Sequence, residues 1–260
     1  MDHPLSSRMD IVTILAEFVP DQDFFFFARV CIDWRNAWER KQRPKLTRAV
    51  TAYSSSGQLQ HCFDNGLQKA RVVFNSALRL GKLDVLKCAE ANGCPFDATT
   101  ACSTAAYLGH VHILQWFWDK GFAFDEGTCA GAAEGGHLSV LMWLREKDCP
   151  WKVSTCNAAA YGGHLEMLKW AIRHGCPCNV TTCSLAAYQG HKDVLKWLKA
   201  TGCAWNETTC SGAAEGGHLR VLKWARKKGC PWDAKTCSYA SREGHQDVLD
   251  WARSHGCPEV

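Results

Sequence analysis

Residues Thr209 to Asp233 read TCSGAAEGGHLRVLKWARKKGCPWD, with two cysteines, one histidine and two tryptophans in a short span. Those residue types suit metal ligation, redox chemistry or core packing. The choice turns on whether the stretch is unique, and it is not. Cys102, Cys129, Cys156, Cys183, Cys210 and Cys237 each lie 27 residues from the next, as do the histidines from His110 to His245 and the tryptophans from Trp116 to Trp251. Self-similarity at a fixed period of this size is the mark of a stacked repeat array.

The local pattern says what one repeat is. After a threonine start, Cys210, Ala213 and Ala214 fall on one helical face, with Thr208 or Thr209 as the expected N-cap and Gly216-Gly217 as the break. A second helix then runs from about His218 to Lys228, where Val221, Leu222, Trp224 and Ala225 form an apolar arc and Arg220, Lys223 and Lys227 point away. Gly229 is the expected C-cap, and the proline of "CPWD" prevents continuation. A helix pair of this size cannot bury its own arc, so stability must come from stacking on neighbours. Seven such units run over residues 71–260, the first written "SALRLGKLDVLKCAEANGCPFD" with Cys88 at the tryptophan position. Residues 46–70 read as a connector or a degenerate capping repeat, in which "AVTAYSSSGQLQHCFDNG" is an eroded copy.

The unit resembles the ankyrin repeat in its opening threonine, paired alanines, Gly-His turn, Val-Leu-Lys stretch and closing glycine. The resemblance implies an all-α, ankyrin-like solenoid of helix-turn-helix repeats that binds a protein on its concave face. Ankyrin units are about 33 residues long, so the shorter period here leaves out most of the projecting β-hairpin finger. This short form is similar to the ankyrin-repeat proteins of giant DNA viruses and some protists.

Residues 1–45 differ. "MDIVTILAEFVPDQDFFFFARVCIDWRNAW", Met9 to Trp38, holds two apolar helical stretches around a break at Val19-Pro20-Asp21. Its order resembles an F-box, a helical module that docks on the adaptor Skp1 and ties a substrate-binding domain to a cullin ubiquitin ligase. Under that resemblance Ile11, Ile14, Leu15, Phe18 and Trp34 contact the adaptor. The other reading of the same residues is a helical cap on the first repeat.

Composition narrows the classes. An apolar share of 47% supports a buried core, and the formal charge of +4 is too mild to indicate nucleic acid or a membrane surface. No apolar run is long enough to span a bilayer and no signal-peptide pattern opens the chain, so a cytoplasmic location is expected, in host cytoplasm or nucleus if the chain is viral. In that compartment the 16 cysteines are expected to be reduced.

Zinc held by Cys149, Cys156 and His164 would use suitable ligand types, but Phe122 occupies the loop-cysteine position of one unit, and phenylalanine fills cores without ligating metal. No metal or cofactor is expected. The Gly-His histidines have no recurring nucleophile or carboxylate beside them, so no catalytic residue and no enzymatic activity are expected. The stripe Arg220, Lys223, Lys227 becomes Asp193, Lys196, Ala200 in the unit before and Asp247, Asp250, Ser254 in the unit after. A phosphate track needs like charge from unit to unit, so nucleic acid is not expected as a partner.

Positions that vary inside a uniform register are free of packing and available for recognition. The residue after the paired alanines is Tyr107, Glu134, Tyr161, Tyr188, Glu215 and Arg242 in successive units, and these six form the candidate partner-binding strip. Thr104, Gly131, Ala158, Leu185, Gly212 and Tyr239 also vary, and the small ones would let a partner approach closely. The function expected is a protein-protein interaction adaptor, monomeric, serving as substrate receptor of a ubiquitin ligase. The alternative is a scaffold or decoy that sequesters a protein without a ligase connection.

Overall fold

A computed structural model of the chain describes residues 55–259, which fall into a compact unit ending at Leu67 and a second beginning at Gln68. In the first unit, helix α1 (Ser56–Asp64) starts where the Ser55 hydroxyl accepts the Gln58 amide, and it buries Leu59, Cys62 and Phe63. The rest of that stretch, and all of the F-box-like segment, lie outside the described residues.

The second unit is built of helix pairs: α2 (Arg71–Arg79) with α3 (Leu83–Ala91), α4 (Ala98–Tyr107) with α5 (Val111–Asp119), and α6 (Glu126–Glu134) with α7 (Leu138–Glu146). The series continues as α8 (Val153–Tyr161) with α9 (Leu165–Arg173), α10 (Val180–Tyr188) with α11 (Lys192–Ala200), α12 (Glu207–Glu215) with α13 (Leu219–Lys227), and α14 (Ala234–Arg242) with α15 (Gln246–Ser254). Among the described residues there is no strand. The chain is therefore an all-α helical repeat solenoid, and its connectors carry no β finger.

From α4 onward each first helix starts two residues before a threonine at the position taken as its cap. In α12 the cap is Asn206, whose side chain accepts the Thr208 amide, while Thr209 is buried inside the helix. Asp97, Asp125, Asn179 and Asp233 act likewise, so the last letter of "CPWD" opens the next helix. Both helices of a unit end in the same way. After α13 the amide of Cys230 reaches the Ala225 carbonyl and that of Gly229, at φ 79°, reaches Arg226, a Schellman close that needs a left-handed residue. Asp148 does this duty after α7 at φ 55°, the one non-glycine with positive φ among the described residues.

First helices of neighbouring units bring their Cα atoms within 8 Å along much of their length, which second helices hardly do. The closer layer must lie on the inside of the resulting bend, so the first helices form the inner layer. Small residues permit the approach: the paired alanines are fully buried, and a Cβ on Gly131 or Gly212 would meet the Ser103 or Ser184 carbonyl oxygen at 2.4 or 2.8 Å. The smallness of Gly131 and Gly212 thus serves helix-helix contact, a role the sequence did not suggest.

The second helices bury Val, Leu and Ala against this layer, for example Val221, Leu222 and Ala225. Trp224 is only half-buried at the edge of that arc, like Trp143, Trp170, Trp197 and Trp251, whereas Trp116 is buried. The expectation that every repeated indole is core is corrected accordingly. The rings meet others edge-on across the connectors: Trp151 with Trp170 at 5.7 Å, Trp205 with Trp224 and Trp232 with Trp251 at 5.9 Å. Arg145 and Arg226 stack on Trp151 and Trp232 while donating to the carbonyls of Cys149 and Cys230.

Candidate functional site

All six strip residues occupy one structural position. Tyr107, Glu134, Tyr161, Tyr188, Glu215 and Arg242 are each the last residue of a first helix, so the inner layer presents them as a row along one edge. The backbone of the row is pinned from behind. Nε2 of His164 bonds the carbonyl of Glu134 at 2.8 Å, His191 that of Tyr161 at 3.0 Å, and His245 that of Glu215 at 3.0 Å. Each imidazole belongs to the N-cap residue of the next unit's second helix, yet none makes a side-chain cap bond there. The repeated histidine therefore stitches its unit to the one before it at His110, His164, His191 and His245. Sequence reasoning placed it at a helix start and missed this role; the signal available was its strict pairing with a preceding glycine.

The side chains of the row fall into local groups. The rings of Tyr161 and Tyr188 stack, with centroids 6.4 Å apart and planes at 16°. Arg242 bonds the Glu215 carboxylate at 2.8 Å and that of Glu243 at 2.7 Å, and sits over Tyr239 at 4.7 Å. Tyr107 is 46% exposed and Glu134 is exposed, both ahead of these groups in the row. Neither Glu243 nor Tyr239 belonged to the strip expected from sequence, and both are now its neighbours at the Arg242 end. An aromatic pair beside alternating acid and base gives flat apolar contact together with hydrogen-bonding capacity, the surface chemistry that suits a peptide or protein partner.

The cysteines belong to the interior. All 15 that are described carry free thiols, and most are buried. The loop thiol of each later unit lies against the carbonyl of its own N-cap residue: Cys149 to Asp125 at 3.2 Å, Cys176 to Lys152 at 3.3 Å and Cys230 to Asn206 at 3.3 Å. Burial pushes the Cys102 thiol up to about 12. Where the loop cysteine is missing, Phe122 packs edge-on against Phe96 and Phe117, so the position is filled by whatever completes the core. Cys149, Cys156 and His164 face separate partners, Asp125, Cys176 and Glu134, and do not converge.

Of the remaining expected site residues, Ile11, Ile14, Leu15, Phe18 and Trp34 lie outside the described residues. No helix among those described is long and apolar enough to cross a membrane. Residues 156–198, from the middle of α8 to the end of α11, match the family model of ankyrin repeats (many copies). No curated protein matches the chain. The matched region contains the Tyr161–Tyr188 stack and the His164 and His191 stitches, and ankyrin repeats of this kind act in protein-protein interaction.

Proposed function

We propose that the chain is an interaction adaptor whose inner-layer strip, Tyr107, Glu134, Tyr161, Tyr188, Glu215 and Arg242, captures a protein segment, and whose residues 1–45 join that cargo to Skp1 as an F-box does. The observation that carries the first half is the contrast between positions: the buried ones repeat from unit to unit, while the row at the first-helix ends does not and is held on a pinned backbone. Tyrosines concentrate binding energy at interfaces because a large amphipathic ring is ordered at low entropic cost.

The strip is tested by substituting both tyrosines of the stack. Tyr161→Ala with Tyr188→Ala is expected to leave the thermal midpoint nearly unchanged and to cut recovery of the specific partner from a host lysate by roughly tenfold or more, as loss of about 1.4 kcal/mol or above implies. An unaltered set of recovered proteins would remove the strip from the account. The ligase connection is tested separately with purified Skp1, which the intact chain should retain and an Ile11→Ala, Leu15→Ala variant should not. If the intact chain fails to retain Skp1 while the lysate partner still depends on the tyrosines, the protein acts as a scaffold or decoy.

A further inference from the structure

The core holds a second periodic feature that packing alone does not use. In five units a first-helix cysteine and the cysteine of the closing loop are spaced alike: Cys129 with Cys149, Cys156 with Cys176, Cys183 with Cys203, Cys210 with Cys230 and Cys237 with Cys257. In the first of these pairs the two sulfurs are 3.1 Å apart. The flanking contacts recur. The first-helix thiol lies 3.8, 3.8 and 3.9 Å from the loop-cysteine carbonyl in the units of Cys129, Cys156 and Cys210. The loop thiol faces the N-cap carbonyl in all five units, at 3.5 Å for Cys203 and Cys257. The units of Cys129, Cys156 and Cys210 thus fix the sulfur pair from both sides.

We propose that these five pairs are sites of reversible disulfide formation, each closing its own repeat covalently when hydrogen peroxide reaches the reduced protein. Distance selects this chemistry over soft-metal binding. A metal bridging two thiolates at about 2.3 Å each would hold the sulfurs about 3.8 Å apart at the tetrahedral angle, and the observed contact is shorter. A disulfide needs about 2.05 Å, which a small rotation of two side chains supplies. In the reaction one sulfur of the pair, the loop sulfur for Cys176 and Cys230, attacks a peroxide oxygen, the O–O bond breaks, and one water leaves, giving a sulfenic acid. The other thiol of the pair then attacks that sulfur, the S–O bond breaks, and hydroxide departs with the thiol proton as a second water. Two thiols lose two electrons and two protons, and one peroxide becomes two waters.

In two pairs the loop sulfur is the better nucleophile, whereas burial and the partner thiol push Cys203 and Cys257 up. The Cys156 and Cys210 thiols donate to Cys176 and Cys230 and hold these loop thiols below the ordinary thiol range, while the donors are pushed up by that bond and by burial. These two pairs should therefore oxidise first. Cys203 faces Cys178 as well as Cys183. Cys178, half-buried where other units carry a ring, is a competing thiol.

The test uses the full chain with Cys178→Ser, treated natively with hydrogen peroxide, alkylated, digested without reductant and read by mass spectrometry. The expected result is five cross-linked peptide pairs, each about 2 Da below the sum of its reduced parts, with Cys102 alkylated and the 156–176 and 210–230 links leading in time. Reduction should restore all ten thiols. A Cys149→Ser variant should lose the first link alone and keep four, and Phe122→Cys should add a sixth, to Cys102. Links outside these pairs, or ten free thiols under conditions that oxidise the urea-unfolded chain fully, would overturn the proposal.

Discussion

Gly216 and Gly217 are neighbours with different duties. Gly217 sits at φ 73°, a left-handed position, whereas Gly216 is ordinary in backbone but would place a Cβ 1.9 Å from the Tyr188 carbonyl oxygen. The closing Gly229 has only the first problem, since nothing lies within 4 Å of its would-be Cβ at φ 79°. Gly229→Ala should therefore cost about 1 to 2 kcal/mol, the left-handed penalty, and Gly216→Ala more than that, because a helix must move; chemical denaturation of the two variants gives the order. The converse change is expected to stabilise: Asp148 holds a left-handed backbone at φ 55° where the other units have glycine, so Asp148→Gly should gain about 0.5 to 1 kcal/mol in the same assay. That both glycines of the pair mark a turn was visible in the sequence. That one of them answers to a carbonyl of the previous unit was not, because no single repeat contains both atoms.

Among the elements, the second helix illustrates how periodicity can be read correctly and still misassign depth. Trp224 follows Val221 and Leu222 on the apolar arc, yet it lies at the edge of that arc and meets Trp205 instead of the core. Burial depends on the neighbouring connector, which helical spacing does not encode. The costs of truncation should follow depth. Trp116 is 7% exposed and packs on Phe117, so Trp116→Ala should cost about 3 to 5 kcal/mol. Trp197 is half-buried and faces a connector where Cys178 replaces the ring, so Trp197→Ala should cost roughly half as much. Urea midpoints for the two variants check this, and equal losses would mean that the connector rings contribute nothing. The first-helix start was misplaced for a related reason: Thr209 has the chemistry of a cap, but Asn206 precedes it in an extended conformation and takes the amide first.

Across the whole array, the row of imidazoles ties stability to acidity. Burial holds His110 and His218 below the usual histidine value, and neighbouring imidazoles act in the same direction. The folded array then binds fewer protons than the unfolded chain, so their stabilisation is complete above the unfolded value of about 6.5 and is lost as pH falls through it toward the lower folded values. Thermal midpoints should drop between pH 7.5 and 5.5, and His218→Gln, which keeps an amide donor for the Tyr188 carbonyl, should flatten that slope; a slope unchanged by the variant would assign the acid sensitivity elsewhere. The repeat, its helix pair and the unvarying core were all legible from one line of text. The grouping of Tyr161 with Tyr188 and of Glu215 with Arg242 was not, because it depends on the stacking distance between units, which the sequence leaves implicit.

The backward reach of the histidines gives the molecule a grain. The imidazoles of His110, His164, His191 and His245 find their acceptor in the preceding copy, and that acceptor is main chain, indifferent to which side chain it carries. A block of 27 residues could therefore be excised from the middle and the two cut faces would still mate, whereas removing 26 or 28 would leave the ring at the junction without its oxygen. The protein is editable in whole courses, like a wall laid to one brick height, and the reading surface would shorten by one letter each time.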